Sequence, residues 1–304
     1  MKNSLILSVL LILLFSCKNV KNEDPSGKIN IVTTTGMIGD AVKNVAGQLA
    51  EVTPLMGPGV DPHLYKATQG DLKFLIQADI IFYNGLHLEG KMGEVFEKLG
   101  RTKSVIPVTR DIPEQLLHKV AQFNNNYDPH IWFDLSIWRQ TLDLIASELS
   151  LRYPEHEVVF RRNAQKYQST LDSLHQWTIT EIQGIPKKSR VLITAHDAFG
   201  YFGKAYDMEV KGLQGISTLS EFGLRDRVDL VELITERQIK AVFVETSVPI
   251  RTINSVVEAC NDKGFNVIIG GSLYSDAMGE EGTPEGTFTG MFKANINTIT
   301  TSLK

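Results

Sequence analysis

The sequence predicts an α/β protein in which two lobes, each built on a parallel sheet, are joined by one long rigid helix. Short β-branched or apolar runs alternate with stretches of helical spacing on both sides of the chain's midpoint, as in parallel sheets covered by helices. Between these two regions, residues 154–186 have no internal proline and no glycine before Gly184. The length of 304 residues also suits two domains better than one.

In the first half, short runs rich in Ile, Val and Thr predict the strands, and apolar residues three or four positions apart predict the helices. Thr68 is the expected N-cap of one helix, with Asp71 three residues later as its capping-box partner. The predicted strands are 29–34, 52–56, 80–83 and 104–108, and the predicted helices are 36–50, 71–78, 88–99 and 135–153.

The central segment predicts one uninterrupted helix. Pro154 stands where a proline is tolerated in the first turn, and the apolar residues that follow recur near helical spacing. A helix from Glu155 to Gln183 would be roughly 43 Å long. A helix of that length spans a molecule and does not merely cover one face of a lobe.

After Pro186 the alternation of strands and helices starts again. The predicted strands are 191–194, 210–213, 241–244 and 267–269, and the predicted helices are 199–206, 225–238, 250–263 and 287–303. The expected organisation is therefore an N-terminal lobe at 28–153, a linking helix at 154–186 and a C-terminal lobe at 187–304.

The first residues predict a secretory signal. Lys2 is followed by an apolar run at 4–15 that is too short to cross a bilayer comfortably. The run ends at Cys17 in a pattern that resembles a bacterial lipobox, which implies a lipid on that cysteine. We expect a signal peptide with lipobox at 1–17 and a polar tether at 18–27, with an ordinary signal peptide as the alternative.

Composition restricts the class of protein. The chain is 42% hydrophobic and 22% charged, with a net charge of -4, as expected for a soluble globular protein. It has no basic stripe, which argues against nucleic acid as a partner. Cys260 is the one cysteine after the signal, so no internal disulfide is expected, and we interpret it as a buried helix residue.

Two copies of an Asp-Pro-His turn, Asp61–His63 and Asp128–His130, indicate a metal site. Proline fixes its own φ and keeps the preceding aspartate out of the helical region, so each histidine is held at a rigid turn. His196 and Asp276 follow predicted strands of the second half. Three imidazoles and one carboxylate suit a divalent metal. The candidate ligands are His63, His130, His196 and Asp276, two from each half.

Other polar residues near these positions have simpler interpretations. Glu221 and Glu245 lie near strand ends, where either is expected to accept a hydrogen bond from a ligand imidazole or to replace Asp276. Asp61, Asp128 and Asp197 are expected to shape turns, His87 to lie in a loop, and His156 and His175 to be solvated.

Five stretches, taken in order, resemble the solute-binding lipoproteins of ABC-type manganese and zinc uptake systems. They are GVDPHLYKATQGDLKFLIQADIIFYNGLHLEG, DPHIWFD, ITAHDAFGYF, GLQGISTLSE and GGSLYSDAMG, and the resemblance runs from about residue 29 to the C-terminus. It implies two α/β lobes joined by a single long helix, with the metal held in the cleft by His63, His130, His196 and Asp276. It also implies a membrane permease as partner. We expect the chain itself to be a monomer.

The transported metal stays open between zinc and manganese. Zinc members of this family often carry a His-rich loop where this chain has only residues 117–126, and manganese members often have glutamate in place of His196. The chain resembles the subgroup with three histidines and an aspartate. Because imidazole suits zinc, we expect zinc to bind more tightly in vitro.

The function predicted is that of an extracytoplasmic receptor that captures zinc or manganese and delivers it to an ABC permease. The first alternative is a zinc-dependent hydrolytic enzyme, which would need an open metal position and a general base; no His-Glu-x-x-His motif occurs. The second alternative is a surface adhesin lipoprotein.

Overall fold

The computed structural model describes residues 27–220 and 223–304. The predicted signal peptide at 1–17, with Cys17 as the residue predicted to carry a lipid, lies outside the described residues. Most of the predicted tether and the candidate acceptor Glu221 lie outside them as well.

The N-terminal lobe is built on a four-stranded parallel sheet in the order β2-β1-β3-β4. Its strands are β1 (Ile29–Thr33), β2 (Ala50–Pro54), β3 (Ile80–Tyr83) and β4 (Ser104–Pro107). Ile31 of the central strand pairs with Val52 on one side and Ile80 on the other. Strand order reverses at β1, so the crevice at the carboxyl ends of these strands is the place where such sheets bind ligands.

Helices cover this sheet largely where the apolar spacing predicts them. They are α1 (Gly36–Ala46), α2 (Gln69–Gln77), α3 (Gly93–Gly100), α4 (Leu135–Trp138) and α5 (Thr141–Arg152). Thr68 caps α2 and forms the predicted capping box with Asp71.

Three predicted helices of this lobe differ from the expected ones: the predicted helix 88–99 begins only at Gly93, the first helix ends early and the last is divided. The first stops at Ala46 because Gly47 takes a positive φ of 59° and its N–H caps the carbonyl of Lys43. The predicted helix 135–153 is divided into α4 and α5, and the Asp134 side chain caps the first of them by accepting a hydrogen bond from the Ser136 N–H.

The long central helix is present as α6 (Glu157–Gln183), which has 27 residues and is about 40 Å long. It begins two residues later than predicted, because Pro154–His156 form a 3-10 turn. One face packs on α1 and α5 of the N-terminal lobe. Its buried residues recur every three or four positions; they include Phe160, Ala164, Leu171, Leu174 and Ile182.

The C-terminal lobe holds two hydrogen-bonded pairs of parallel strands. The strands are β5 (Val191–His196), β6 (Glu209–Gln214), β7 (Ala241–Glu245) and β8 (Ile268–Leu273), paired as β5-β6 and β7-β8. The helices are α7 (Gly200–Tyr206), α8 (Leu224–Glu236), α9 (Arg251–Asp262) and α10 (Phe288–Leu303). Strand β5 packs beside β7, and α7 and α10 pack on α6.

The largest hydrophobic core of the described chain runs through both lobes, and each lobe also has a smaller core of its own. The largest core contains buried residues of the N-terminal sheet, the central helix and the C-terminal helices. Phe133 from the first lobe stacks near Phe199 of the second, with ring centroids 4.3 Å apart. The lobes therefore share a packed interior, which favours a stiff frame over freely swinging halves.

In the described part of the chain, no helix combines the length and the apolar character that a bilayer span requires.

Candidate functional site

The four predicted ligands meet in the cleft between the lobes. His63 follows β2, His130 lies in the segment after β4, His196 ends β5 and Asp276 follows β8. Each side chain is between 0% and 1% exposed. One candidate ligand atom from each residue lies within 4.8 Å of the other three. The carboxyl end of β5 and the segments that follow β2, β4 and β8 thus bring the four residues to one buried point.

The Nε2 atoms of the three imidazoles face the carboxylate of Asp276. Its Oδ2 lies 3.2 Å from His196 Nε2 and 3.7 Å from His63 Nε2, and its Oδ1 lies 3.5 Å from His130 Nε2. The Nε2 atoms of His63 and His130 are 3.3 Å apart.

The polar atoms of this cluster do not fully satisfy one another's hydrogen-bonding capacity. Among the described residues, neither oxygen of Asp276 has a well-aligned hydrogen-bond donor, and His196 Nε2 has no aligned partner either. Buried polar atoms normally have partners, and a cation between them would supply one. Three imidazole nitrogens and a carboxylate are ligands that a divalent transition metal accepts.

Burial and charge act differently on the ligands. Burial lowers the pKa of His63 to about 3, which keeps that imidazole neutral. Burial alone would also lower the pKa of His196, but the carboxylates of Glu245 and Asp276 outweigh it and hold that pKa well above its usual range. Burial alone would raise the pKa of Asp276, yet the three histidines, chiefly His196, hold it below its usual range.

Two of the imidazoles are held by carboxylates. Asp128 Oδ1 lies 2.7 Å from His130 Nδ1 and also accepts the His130 backbone N–H at 2.9 Å. Glu245, the last residue of β7, accepts the His196 backbone N–H at 2.8 Å, and its other oxygen lies 2.5 Å from His196 Nδ1. This second contact is bent away from the ideal hydrogen-bond direction. Glu245 thus supports His196 and does not take the place of Asp276.

The aspartates of both Asp-Pro-His turns shape their turns as predicted. Asp61 Oδ1 accepts the His63 N–H at 2.8 Å, in the same way that Asp128 accepts the His130 N–H. Asp197 is largely buried beside Asp128, and burial raises the pKa of its carboxyl. Asp197 is not part of the four-residue cluster.

Sequence reasoning missed a second layer of polar residues. The Asn84 amide donates to the Pro129 carbonyl at 3.0 Å, next to His130. Buried Glu89 accepts the Asn84 N–H and the Thr34 hydroxyl, each at 2.7 Å. An Asn-Gly pair such as Asn84-Gly85 is typical of a turn and gives no sign of the contact with Pro129. Glu89 falls within the predicted helix 88–99, but it lies in the turns before α3.

The remaining predicted histidines lie outside the cluster. His87 is exposed in a loop at φ 66°, as expected. His175 is not simply solvated as predicted, because its Nδ1 lies 2.9 Å from the Tyr206 hydroxyl. The ring of His118 stacks on Tyr201 at a centroid distance of 3.9 Å.

Two α/β lobes that share a long helix and bury three histidines and an aspartate between them define a binding protein with a site for a divalent cation. Residues 31–302 match the family model described as zinc-uptake complex component A, periplasmic. The chain belongs to this family.

Two relatives support the assignment. The chain is 52% identical over 286 residues to the manganese-binding lipoprotein MntA of Bacillus subtilis, an alignment that covers 92% of this chain and 93% of the relative. It is 46% identical over 283 residues to the zinc-binding protein TroA of Treponema pallidum, which covers 93% and 91% of the two chains.

The structural comparison agrees with the sequence comparison. The solved structure of the periplasmic zinc-binding protein TroA from Treponema pallidum superposes with a TM-score of 0.88 and covers 91% of this chain and 99% of that one. The predicted fold class is therefore confirmed. The chain is a substrate-binding protein of an ABC-type metal uptake system, and family membership excludes the hydrolytic enzyme.

Proposed function

We propose that His63, His130, His196 and Asp276 together bind one zinc or manganese ion outside the cytoplasmic membrane and that the chain hands this ion to its ABC permease. The observation that carries the proposal is that the four buried side chains lie within reach of one cation. The oxygens of Asp276 have no aligned hydrogen-bond donor in the described chain. Four protein ligands leave no open position for a reacting water, which suits capture and delivery better than catalysis.

Zinc is the metal that this donor set should hold more tightly. Three nitrogens and one carboxylate match the tetrahedral habit of zinc, while manganese is lowest in the affinity order and prefers oxygen. Both oxygens of Asp276 face the histidines, however, so bidentate binding would offer a fifth contact to the larger manganese ion. The names of the relatives include both metals. The proposed cargo is therefore zinc or manganese, with zinc the tighter ligand in vitro.

The proposal also includes how the chain is placed in the cell. We propose a lipid on Cys17 that anchors a monomer to the bacterial membrane, with the domain division 28–153, 154–186 and 187–304. Several relatives are named lipoproteins. Loss of the protein from the membrane fraction in Cys17→Ala is the expected result, and retention there would contradict the anchor.

Metal content tests the ligand set. The chain without residues 1–17, purified without chelating resin, should carry or take up one equivalent of zinc or manganese. His63→Ala and Asp276→Ala should each abolish that binding. His156→Ala is the matched control, because this histidine lies in the turn before α6 and outside the cluster. Undiminished binding in the two ligand variants, or none in the parent, would reject the four-ligand site.

A further inference from the structure

The two Asp-Pro-His turns are alike in sequence but use their carboxylates differently. Each aspartate accepts the backbone N–H of its own histidine, at 2.8 Å for Asp61 and 2.9 Å for Asp128. Asp128 also holds the ring of His130 through Nδ1. Asp61 does not hold the ring of His63, whose Nδ1 is buried without a hydrogen-bond partner among the described residues.

The second oxygen of Asp61 is directed to the other lobe. Thr218, on the segment that follows β6, donates its hydroxyl to Asp61 Oδ2 at 2.6 Å. The same turn approaches the C-terminal lobe a second time at Gly59, where a Cβ would lie 3.3 Å from the Thr246 carbonyl oxygen. The turn that carries His63 is therefore hydrogen-bonded across the cleft to the other lobe. In the turn that carries His130, the aspartate contacts the histidine ring of the same turn instead.

We propose that the Asp61–Thr218 hydrogen bond is an inter-lobe latch that positions His63 and slows the exit of the bound cation. The inference rests on the proposed function, since it needs a cation to retain. With no carboxylate on its Nδ1, His63 depends on its turn for its position, and that turn depends on Thr218. Asp61 and Thr218 are positioning residues in this proposal, because they act on the cation only through His63.

The test compares the rate at which zinc leaves the full chain. Thr218→Val removes the hydroxyl at nearly constant volume, and Thr218→Ser keeps it. Stopped-flow transfer of zinc to a chelator should be about 10-fold faster in T218V, which is the effect of losing about 1.4 kcal/mol from a hydrogen bond to a charged acceptor. The rate in T218S should stay near that of the parent.

Thr235→Val is the matched control, because the Thr235 hydroxyl bonds to the Val231 carbonyl within its own helix. Its zinc release should equal that of the parent. Release from T218V at the parent's rate, or equally fast release from T218V and T218S, would overturn the latch.

A second readout needs no metal. In the metal-free chain, amide hydrogen exchange at residues 59–64 should be faster in T218V than in the parent and unchanged in T218S. Unchanged exchange in T218V would overturn the latch even if the parent bound no zinc. A parent that binds no zinc but shows this exchange pattern would reject the proposed function and leave the inter-lobe contact standing.

Discussion

At the scale of single residues, His196 is the proposed ligand most affected by its neighbours. Glu245 reaches it from β7 through both the backbone N–H and the ring, and Asp276 faces its Nε2 at 3.2 Å. A carboxylate at Nδ1 keeps a proton on that nitrogen, so that Nε2 is the nitrogen that gives up its proton and binds a metal, as in many metal sites. We therefore expect the contact of Glu245 with His196 to direct Nε2 of that ring towards the proposed cation.

Glu245→Gln should weaken zinc binding by roughly 10-fold to 100-fold. With the glutamine oxygen accepting the His196 N–H as Glu245 Oε1 does, the NH2 group would face Nδ1 and favour the tautomer with its proton on Nε2, which faces the proposed cation. Chelator competition measures the affinity, and nitrogen-15 NMR of the metal-free chain shows whether Nδ1 keeps its proton. Glu258→Gln is the control, since Glu258 is exposed on α9. Parent-like affinity with a protonated Nδ1 in E245Q would show that Glu245 does not orient the ring.

Proton release should accompany metal binding near neutral pH. The raised pKa of His196 means that this imidazole is protonated below that pKa, and the metal must displace its proton. The low pKa of His63 means that this ligand has no proton to lose at neutral pH. Affinity should therefore rise with pH and level off above the pKa of His196.

Calorimetry in buffers of different ionisation enthalpy measures this release. About one proton per metal is expected at neutral pH. Heats that do not depend on the buffer would contradict a protonated His196 in the metal-free chain.

The sequence pointed to the four residues that meet in the cleft more fully than to the residues that support them. Asp-Pro-His is a local signal, because proline restricts the backbone on both sides of the peptide bond. The contacts of Thr218 with Asp61, and of Asn84 with Pro129, join residues far apart in the chain and have no local pattern. Only the folded topology brings such pairs together.

At the scale of secondary-structure elements, α6 is the part that both lobes need. Its apolar spacing predicted a helix, and its buried face packs on elements of both lobes. Its exact start was not predicted, because a proline in the first turn is compatible with either an α-helical or a 3-10 beginning. The division between α4 and α5 was also missed, since the apolar spacing continues through it.

Leu171→Ala should destabilise the fold by about 2–5 kcal/mol, because Leu171 is fully buried on α6 and its truncation leaves a cavity. Urea denaturation of the metal-free chain measures the change in the free energy of unfolding. Val158→Ala is the control, as Val158 is 77% exposed near the start of the same helix, and its free energy should change little. A loss in L171A no larger than that in V158A would mean that this face of α6 contributes little to the core.

At the scale of the whole molecule, alternation of strands and helices was enough to predict the fold class. Because parallel strands bring their carboxyl ends to one edge of a sheet, the same pattern also favours a site where His63 and His196 meet. The pairing of the C-terminal strands as two separate ladders was not predictable, since it depends on how β5 and β7 pack side by side.

Because the largest core is shared by the two lobes and each lobe gives two of the proposed ligands, bound metal should stabilise the molecule as a unit. A ligand that binds only the folded chain adds about 4.1 kcal/mol when its free concentration is 1,000 times Kd. Calorimetric scans with and without zinc should show one cooperative transition that moves to higher temperature with the metal. Asp276→Ala should show the single transition without the shift. Two transitions, of which zinc moves only one, would mean that the lobes unfold separately and that the shared core does not couple them.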